Sequence, residues 1–573
     1  QEVTLPLSLP EGIPTFTLSF DPDNWLLDKH QEVPYVTARV AATSPVQNEL
    51  HVPVSTDISV TFDNDMDETT IHDSTFTVNA SFTGRHEGII AYDSFAKTAI
   101  FDPANDFDEG EVITVSLTEG IQSSQGMALK DGYTYSFTAA VGGGSAIFLI
   151  DSTYATDEGP TSVSSADLDG DGDLDLATAN QASNDVFVLL NQGDAIFTPA
   201  LVHSVGNGPR SIFAADLDGD GDLDLATANN ASDSVSVLLN DGNGNFGPHS
   251  LHHIGMHPVS VFAADIDSDG DLDLAAANQG SNDVSVLLNN GDGTFAPYSA
   301  YPVGDTPHSV IAADLNSDGG LDLTTANQGS NDVSVLLNNG DGTFAPYSAY
   351  PVGDTPHSVI AADLNGDGDL DLATANQGSN DVSVLLNNGD GILAPYSAYP
   401  VGDTPHSIIA ADFDGDGDLD LATANQGSND VSVLLNQGST FAPDSVYAAG
   451  DGPRAVFAAD FDSDGDLDLA TANCNSANVS VLLNLPAYAC GDCNGDGSLN
   501  FADALYLKNH YYQTPPGSPP PIGEGDVNVN GNITFADALY IKNFYYQSPP
   551  GSPAPCNPPT ADTSPILRKP GAR

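Results

Sequence analysis

One unit recurs through the middle of this 573-residue chain, and its period bounds the folds open to it. The segment Asp167-Leu-Asp-Gly-Asp-Gly-Asp-Leu-Asp175, followed by Leu-Ala-Thr-Ala-Asn, returns with first aspartates at 216, 265, 314, 363, 412 and 460. The spacing is 49 residues five times and then 48. Seven copies occupy residues 146–485. Within a unit the pattern is four short strands. Ser309-Val-Ile-Ala-Ala-Asp is a buried strand ahead of the Asp loop, and Leu323-Thr-Thr-Ala-Asn and the alternating Asp332-Val-Ser-Val-Leu-Leu-Asn come after it. Phe344-Ala-Pro-Tyr-Ser-Ala-Tyr-Pro-Val is an outer strand whose prolines suit an edge. Four antiparallel strands per unit of this length predict one blade of a β-propeller; a β-solenoid needs shorter rungs, and helical arrays need a periodicity that is absent.

The seventh unit stops after its third strand, Val479-Ser-Val-Leu-Leu-Asn484. Its missing outer strand has a counterpart before the first loop, where residues 148–163 align without gaps on residues 295–310. Residues 148–156 are therefore expected to complete the last blade, which hides the open edges of a linear array.

The loop D-x-[DN]-x-D-G-x-x-D places side-chain oxygens at positions 1, 3, 5 and 9 and a backbone carbonyl at position 7, with Gly at position 6 for the turn. Position 1 is Asp167, Asp216, Asp265, Asp314, Asp363, Asp412 and Asp460. Position 3 is Asp169, Asp218, Asp267, Asn316, Asn365, Asp414 and Asp462; position 5 is Asp171, Asp220, Asp269, Asp318, Asp367, Asp416 and Asp464. Position 7 is Asp173, Asp222, Asp271, Gly320, Asp369, Asp418 and Asp466; position 9 is Asp175, Asp224, Asp273, Asp322, Asp371, Asp420 and Asp468. This is the ligand alternation of an EF-hand without its twelfth-position Glu. Hard oxygens at flexible spacing favour Ca²⁺ over Mg²⁺, at about one ion per blade. A plain Asp-Gly hairpin would not need the register kept seven times.

Composition agrees. The net charge is −68, and of the 80 acidic residues 69 are Asp and 11 Glu, a bias towards metal loops and away from a general acidic coat. Only 12 Lys and Arg stand against them, which leaves little to neutralise phosphate and makes nucleic acid and anionic membranes poor partners. No apolar run is long enough to span a bilayer, and the start at Gln1 would suit a mature protein whose leader has been removed.

On Asp167, Asp169, Asp171, Asp175 and their equivalents, the chain resembles the FG-GAP/VCBS repeats of integrin α-subunit propellers and bacterial surface proteins. It carries Ala-Thr-Ala-Asn where integrins carry Gly-Ala-Pro. The resemblance implies a seven-bladed propeller and extracellular calcium. Integrin ligand binding requires a partner subunit and does not carry over.

Near the C-terminus, Asp492-Cys-Asn-Gly-Asp-Gly-Ser-Leu-Asn-Phe-Ala-Asp503 runs into Ala-Leu-Tyr-Leu-Lys-Asn, and the pattern recurs from Asp526. This duplicated loop and amphipathic helix resembles a dockerin over residues 490–556. The resemblance implies up to two further Ca²⁺, one on Asp492, Asn494, Asp496, Ser498, Asn500 and Asp503. The other would lie on Asp526, Asn528, Asn530, Asn532, Thr534 and Asp537. Lys508-Asn509 and Lys542-Asn543 sit where dockerins meet cohesins, or are simply exposed helix residues. A Cys490–Cys556 bridge would staple the module at both ends, one of three pairings open to Cys474, Cys490, Cys493 and Cys556. Residues 43–141 read as a β-sandwich, from the alternating His51–Phe62 and Tyr133–Thr138, and resemble bacterial Ig-like domains of surface proteins. Residues 1–42 are an extended segment, an extra strand of the sandwich or one donated to a neighbour. Residues 557–573 form a Pro/Thr-rich tail.

The expected architecture is thus mainly β: a seven-bladed propeller, an N-terminal Ig-like sandwich and a small α-helical dockerin-like calcium module. Blades three to six are near copies, and this symmetry, with no catalytic fingerprint present, argues against an enzyme. A calcium-locked structural or adhesive protein, secreted to the cell surface or extracellular matrix, is the expected function. Its terminal modules would join it to a protein partner or to copies of itself. A carbohydrate-binding lectin is the alternative, with a polysaccharide-active enzyme the less favoured one. Two ladders could bind partners: Tyr298/Tyr301, Tyr347/Tyr350 and Tyr396/Tyr399 on outer strands, able to stack on glycans, and Arg210, His308, His357, His406 and Arg454 at the start of the inner strands. Ordinary edge packing for the tyrosines and exposed turns for the histidines are the readings favoured by pattern alone. Sequons at Asn79, Asn230, Asn478 and Asn532 permit glycosylation.

Overall fold

The computed structural model describes residues 37–486, apart from Asp131 and Asp194, and they are almost wholly β. The segment 1–36, the whole dockerin-like module with Cys490, Cys493 and Cys556, and the tail lie outside the described residues.

In the fourth unit the strands are Pro307–Ala313, Asp322–Asn327, Asp332–Leu336 and Ser348–Pro351, antiparallel and paired in that order. Every residue of the second strand is buried, in all seven units. This strand has a sheet neighbour on each face, and the small side chains of Leu-Ala-Thr-Ala allow both to approach. The outer strand is shorter than expected: Phe344 makes an isolated bridge to Asn338, and strand pairing begins only at Ser348, after Pro346, which has no N–H to give the ladder.

Among the described residues seven such sheets follow one another. Their first strands lie side by side in chain order, and that of the seventh, Pro453–Ala459, lies against that of the first, Pro160–Ala166. The seventh sheet takes its fourth strand from before the first loop, where Gly144–Ala155 pairs with Asn478–Pro486. Val479 faces Tyr154 as Val284 faces Tyr301, the register that the gap-free alignment requires. Tyr154 then donates to the Ala195 carbonyl at 2.8 Å and meets Phe197 edge-on at 5.2 Å, tying the seventh sheet to the first. Tyr154→Ala removes this half-buried anchor and is expected to cost about 2–3 kcal/mol, read as a lowered urea midpoint in calcium. An unchanged midpoint would show that the closing strand does not carry the ring.

The N-terminal unit is a sandwich of two four-stranded sheets. Its core holds Ile58, Val60, Phe62, Phe76, Val115 and Phe137. The strand Val40–Ser44 and the fully buried Ala38 belong to it, so the sandwich begins before residue 43. The expected strand His51–Phe62 is shortened to Ile58–Phe62; His51 is left-handed at φ +57° and Pro53 follows it.

Candidate metal centres

Each Asp loop joins the first strand of its sheet to the second. In the first loop Asp167 accepts from Gly170 N at 2.8 Å and from Gly172 N at 3.1 Å, and Asp171 from Asp173 N at 3.0 Å. Gly172 stands at φ +91° and its equivalent Gly417 at +101°, a turn that a side chain would strain. Asp175, already in the second strand, accepts from Leu168 N at 3.0 Å and Asn191 N at 2.7 Å. The loop backbone thus turns the carboxylates inward on themselves.

In five loops three carboxylates offer oxygens within 4.8 Å of one another: Asp167/Asp169/Asp175, Asp216/Asp218/Asp224, Asp265/Asp267/Asp269, Asp412/Asp414/Asp420 and Asp460/Asp462/Asp464. The other two loops are those with Asn316 and Asn365 at position 3. Position 3 carries the clearest sign of a missing partner. One carboxylate oxygen, Oδ1, is buried without any hydrogen bond in Asp169, Asp218, Asp267, Asp414 and Asp462. Leaving such a group unsatisfied costs about 1–3 kcal/mol or more.

Burial pushes the position-9 carboxyls up: Asp322 and Asp371 to about 7, Asp175, Asp224 and Asp420 to about 8, Asp273 and Asp468 to about 9. Neighbouring loop carboxylates push the same way, against the backbone N–H groups that hold the anion. A hard dication would satisfy the orphaned oxygens and remove the mutual repulsion together, so the donor set fits Ca²⁺.

The sandwich sits on this face of the ring. Gln47 Nε2 donates to Asp314 Oδ2 at 2.9 Å, His51 Nε2 lies 2.9 Å from Asp412 Oδ2, and Asn48 Nδ2 donates to the Gly368 carbonyl at 2.9 Å. Phe82 leaves the sandwich to pack in the ring's own core, 6.1 Å from Phe457. Sandwich and ring enclose a cavity of about 490 Å³, lined by Phe213, Phe262, Ile311, Ile360, Ile409 and Phe457 from the first strands. Phe82→Ala is expected to cost about 3 kcal/mol and to raise hydrogen exchange around residues 81–84 and 455–459 while sparing the fourth sheet. A uniform rise would argue against a localised joint.

The pattern reading passed over one residue. Asn191, Asn240, Asn289, Asn338, Asn387, Asn436 and Asn484 lie at or near the end of the third strand of each unit. Asn289 Nδ2 donates at 2.8 Å both to Leu272 in its own unit and to the Leu217 carbonyl of the unit before. Asn191 does so across the ring closure, reaching the Phe461 carbonyl at 3.0 Å. Its recurrence in Val-Leu-Leu-Asn was visible, but nothing local distinguishes an inter-sheet clamp from a turn residue.

The tyrosine ladder divides. Tyr298, Tyr347 and Tyr396 are 41, 39 and 40% exposed. Tyr301 and Tyr350 instead donate to the Gly342 and Gly391 carbonyls of the following sheet, and Tyr301 and Tyr399 pack on Phe344 and Phe441, so these three are inter-sheet anchors. The exposed-turn reading of the histidines is corrected: His308, His357 and His406 pack ring to ring, with centroids 4.2 and 3.5 Å apart and planes tilted by 45° and 42°. The Asn230 amide nitrogen is buried, which leaves no room there for a glycan in the folded ring. Asp492, Asn494, Asp496, Ser498, Asn500, Asp503, Asp526, Asn528, Asn530, Asn532, Thr534, Asp537, Lys508, Asn509, Lys542 and Asn543 lie outside the described residues.

Three family models match the chain. A bacterial Ig-like domain covers residues 36–139, FG-GAP-like repeats cover residues 167–471 in six overlapping matches, and a dockerin type I domain covers residues 490–544. No curated protein matches. Among solved structures, an Agrocybe aegerita lectin is 20% identical, aligned over 71% of this chain and 98% of its own, with a TM-score of 0.38. Virginiamycin B lyase from Staphylococcus aureus is 14% identical over 59% and 99%, at 0.40, and Kuenenia stuttgartiensis hydrazine synthase is 18% identical over 59% and 98%, at 0.42. At these scores none bears on what the chain does. Among the described residues no helix is long and apolar enough to cross a membrane.

Proposed function

The chain belongs to the FG-GAP-like repeat proteins, and on that premise we propose that it is a non-catalytic, calcium-stabilised structural or adhesive protein of the cell exterior. The seven sheets would be the blades of a closed propeller, each holding one Ca²⁺ through positions 1, 3, 5, 7 and 9 of its loop. The observation that carries this reading is the buried, partnerless oxygen at position 3 in all five loops that have Asp there. Ions at such loops suit the roughly 10⁻⁴–10⁻³ M affinity range of extracellular calcium modules.

The division into a sandwich (43–141), a propeller (146–485) and a dockerin-like module (490–556) assigns each part a task. The ring is a rigid spacer or head, locked to the sandwich through its loop face. Dockerin domains bind cohesins, so Lys508, Asn509, Lys542 and Asn543 would meet a cohesin-type protein, with one or two Ca²⁺ shaping the module. A second reading, glycan binding, is favoured by the three evenly repeated exposed tyrosines Tyr298, Tyr347 and Tyr396, which give a multivalent stacking surface.

Negative-stain imaging of the full chain in calcium, with and without a cohesin, together with a glycan array, tests both. Ordered polymers or a calcium-dependent cohesin complex are expected. Specific glycan binding lost in a Tyr298/Tyr347/Tyr396 triple alanine variant would replace the structural reading with the lectin one.

A further inference from the structure

The other end of the ring has a different chemistry. Each first strand runs from a proline to its Asp loop, as Pro307–Ala313 does before Asp314. At about 3.3 Å per residue this sets the starting residues roughly 20 Å from the loops. The residue after that proline is Arg210, His308, His357, His406 or Arg454 in five of the seven sheets. Two guanidiniums and three imidazoles therefore meet at one mouth of a chain that carries a net −68 with only 12 Lys and Arg in all.

These groups lean around the mouth from sheet to sheet. His357 Nδ1 lies 2.9 Å from the His406 carbonyl and His406 Nδ1 3.1 Å from the Arg454 carbonyl. A carbonyl only accepts, so Nδ1–H is the donor in both rings and each Nε2 is left to face something else. His308, 8% exposed, meets Gln279 Nε2 at 2.8 Å through its own Nε2. Gln426, with its amide oxygen turned to Arg454, accepts from Nε at 2.9 Å and Nη2 at 3.2 Å.

The second sheet is where partners run out. Arg210 Nε and Asn230 Nδ2 are both buried and have no hydrogen-bond acceptor. These two orphaned donors, one of them on a guanidinium, are the mirror image of the Asp loops, where the orphaned groups are acceptors. What is missing here is an acceptor with negative charge. A cation is disfavoured: the groups of ligand atoms that converge within 4.8 Å among the described residues are the Asp loops, and Arg210 and Arg454 would repel a metal ion.

We propose that this mouth binds a compact oxyanion, a carboxylate or sulfate, gripped by Arg210 and Arg454 and ringed by His308, His357 and His406. Positive charge is crowded at this mouth. Burial, and then the neighbouring guanidiniums, hold His308 down at about 4 and His406 at about 3, and burial with the Arg454 charge lowers Arg210. An anion among them relieves that repulsion. Exposed Asp305, Asp354 and Asp403 stand in the turns just before the histidines and would repel an extended polyanion. The site thus selects one small charged group reaching the axis. It is a free inorganic ion or the acidic substituent of an extracellular sugar.

Full-length protein in calcium, titrated calorimetrically with sodium sulfate and with glucuronate against sodium chloride of equal ionic strength, tests this. Saturable binding of one anion per chain is expected, weakened about tenfold or more by Arg210→Gln. Sulfate alone would assign the inorganic ion; glucuronate as well, the sugar substituent. The ¹⁵N ring resonances of His357 and His406 in the unsubstituted protein should shift with the same saturation, which keeps the test independent of the variant's folding. No saturable binding beyond chloride, unmoved imidazole resonances, or full binding by a folded Arg210→Gln protein would overturn the proposal.

Discussion

Excess EDTA is expected to lower the thermal unfolding midpoint by roughly 15 °C relative to protein in calcium at tenfold its dissociation constant. At that concentration each site contributes about RT ln 11, or about 1.4 kcal/mol, and seven such sites contribute about 10 kcal/mol. The effect should return fully on adding back calcium and only weakly with magnesium, which resists giving up its water for a nine-residue loop of carboxylates. Single variants separate ion from scaffold. Asp267→Asn should lose stability in calcium but lose none in EDTA, because Asn316 and Asn365 already occupy position 3 and the Asp267 Oδ1 has no protein partner. Asp273→Asn should lose stability in both conditions. Its carboxylate accepts from Ile266 N at 3.0 Å and Asn289 N at 2.7 Å, and an amide would turn a donor towards one of those N–H groups. A midpoint unmoved by EDTA would remove the structural role of calcium.

How much of this could be read from the letters alone depends on whether a residue's job is local. The loops were legible because their ligands lie within nine residues of one another, and the closing strand because residues 148–163 repeat the pattern of 295–310. The sandwich's place on the ring was not legible. Gln47 and Asp314 are 267 positions apart, and nothing in either segment announces the other. The histidines misled for a related reason. After Gly-Asp-Thr-Pro a polar residue reads as a turn, yet closing seven strands into a ring brings His308, His357 and His406 together from positions 49 apart. Tyr301 looks like Tyr298 in sequence, but Tyr298 precedes the paired strand Ser299–Pro302 while Tyr301 lies within it and packs against the next sheet.

The Asn clamp gives the second large effect, and one that calcium does not supply. Asn289→Ala strips the donors from two buried carbonyls, Leu217 in one unit and Leu272 in the next, at about 1–3 kcal/mol each. The sum, about 2–6 kcal/mol, should appear as a lowered denaturant midpoint with and without EDTA. Asn289→Asp is expected to be worse, since it aims a carboxylate at two carbonyl oxygens. A coupling should also be measurable. The Asn289 N–H holds Asp273 Oδ1, so the side chain that ties sheet to sheet also fixes the backbone that orients a loop carboxylate. In a double-mutant cycle of Asn289→Ala with Asp273→Asn, the interaction energy should therefore be larger in calcium than in EDTA. Equal values in the two conditions would mean that ring packing and ion binding are independent. A larger value in calcium would mean that each bound ion tightens the joint between neighbouring sheets, so that the seven loops stabilise the closed ring as a whole and not seven separate turns.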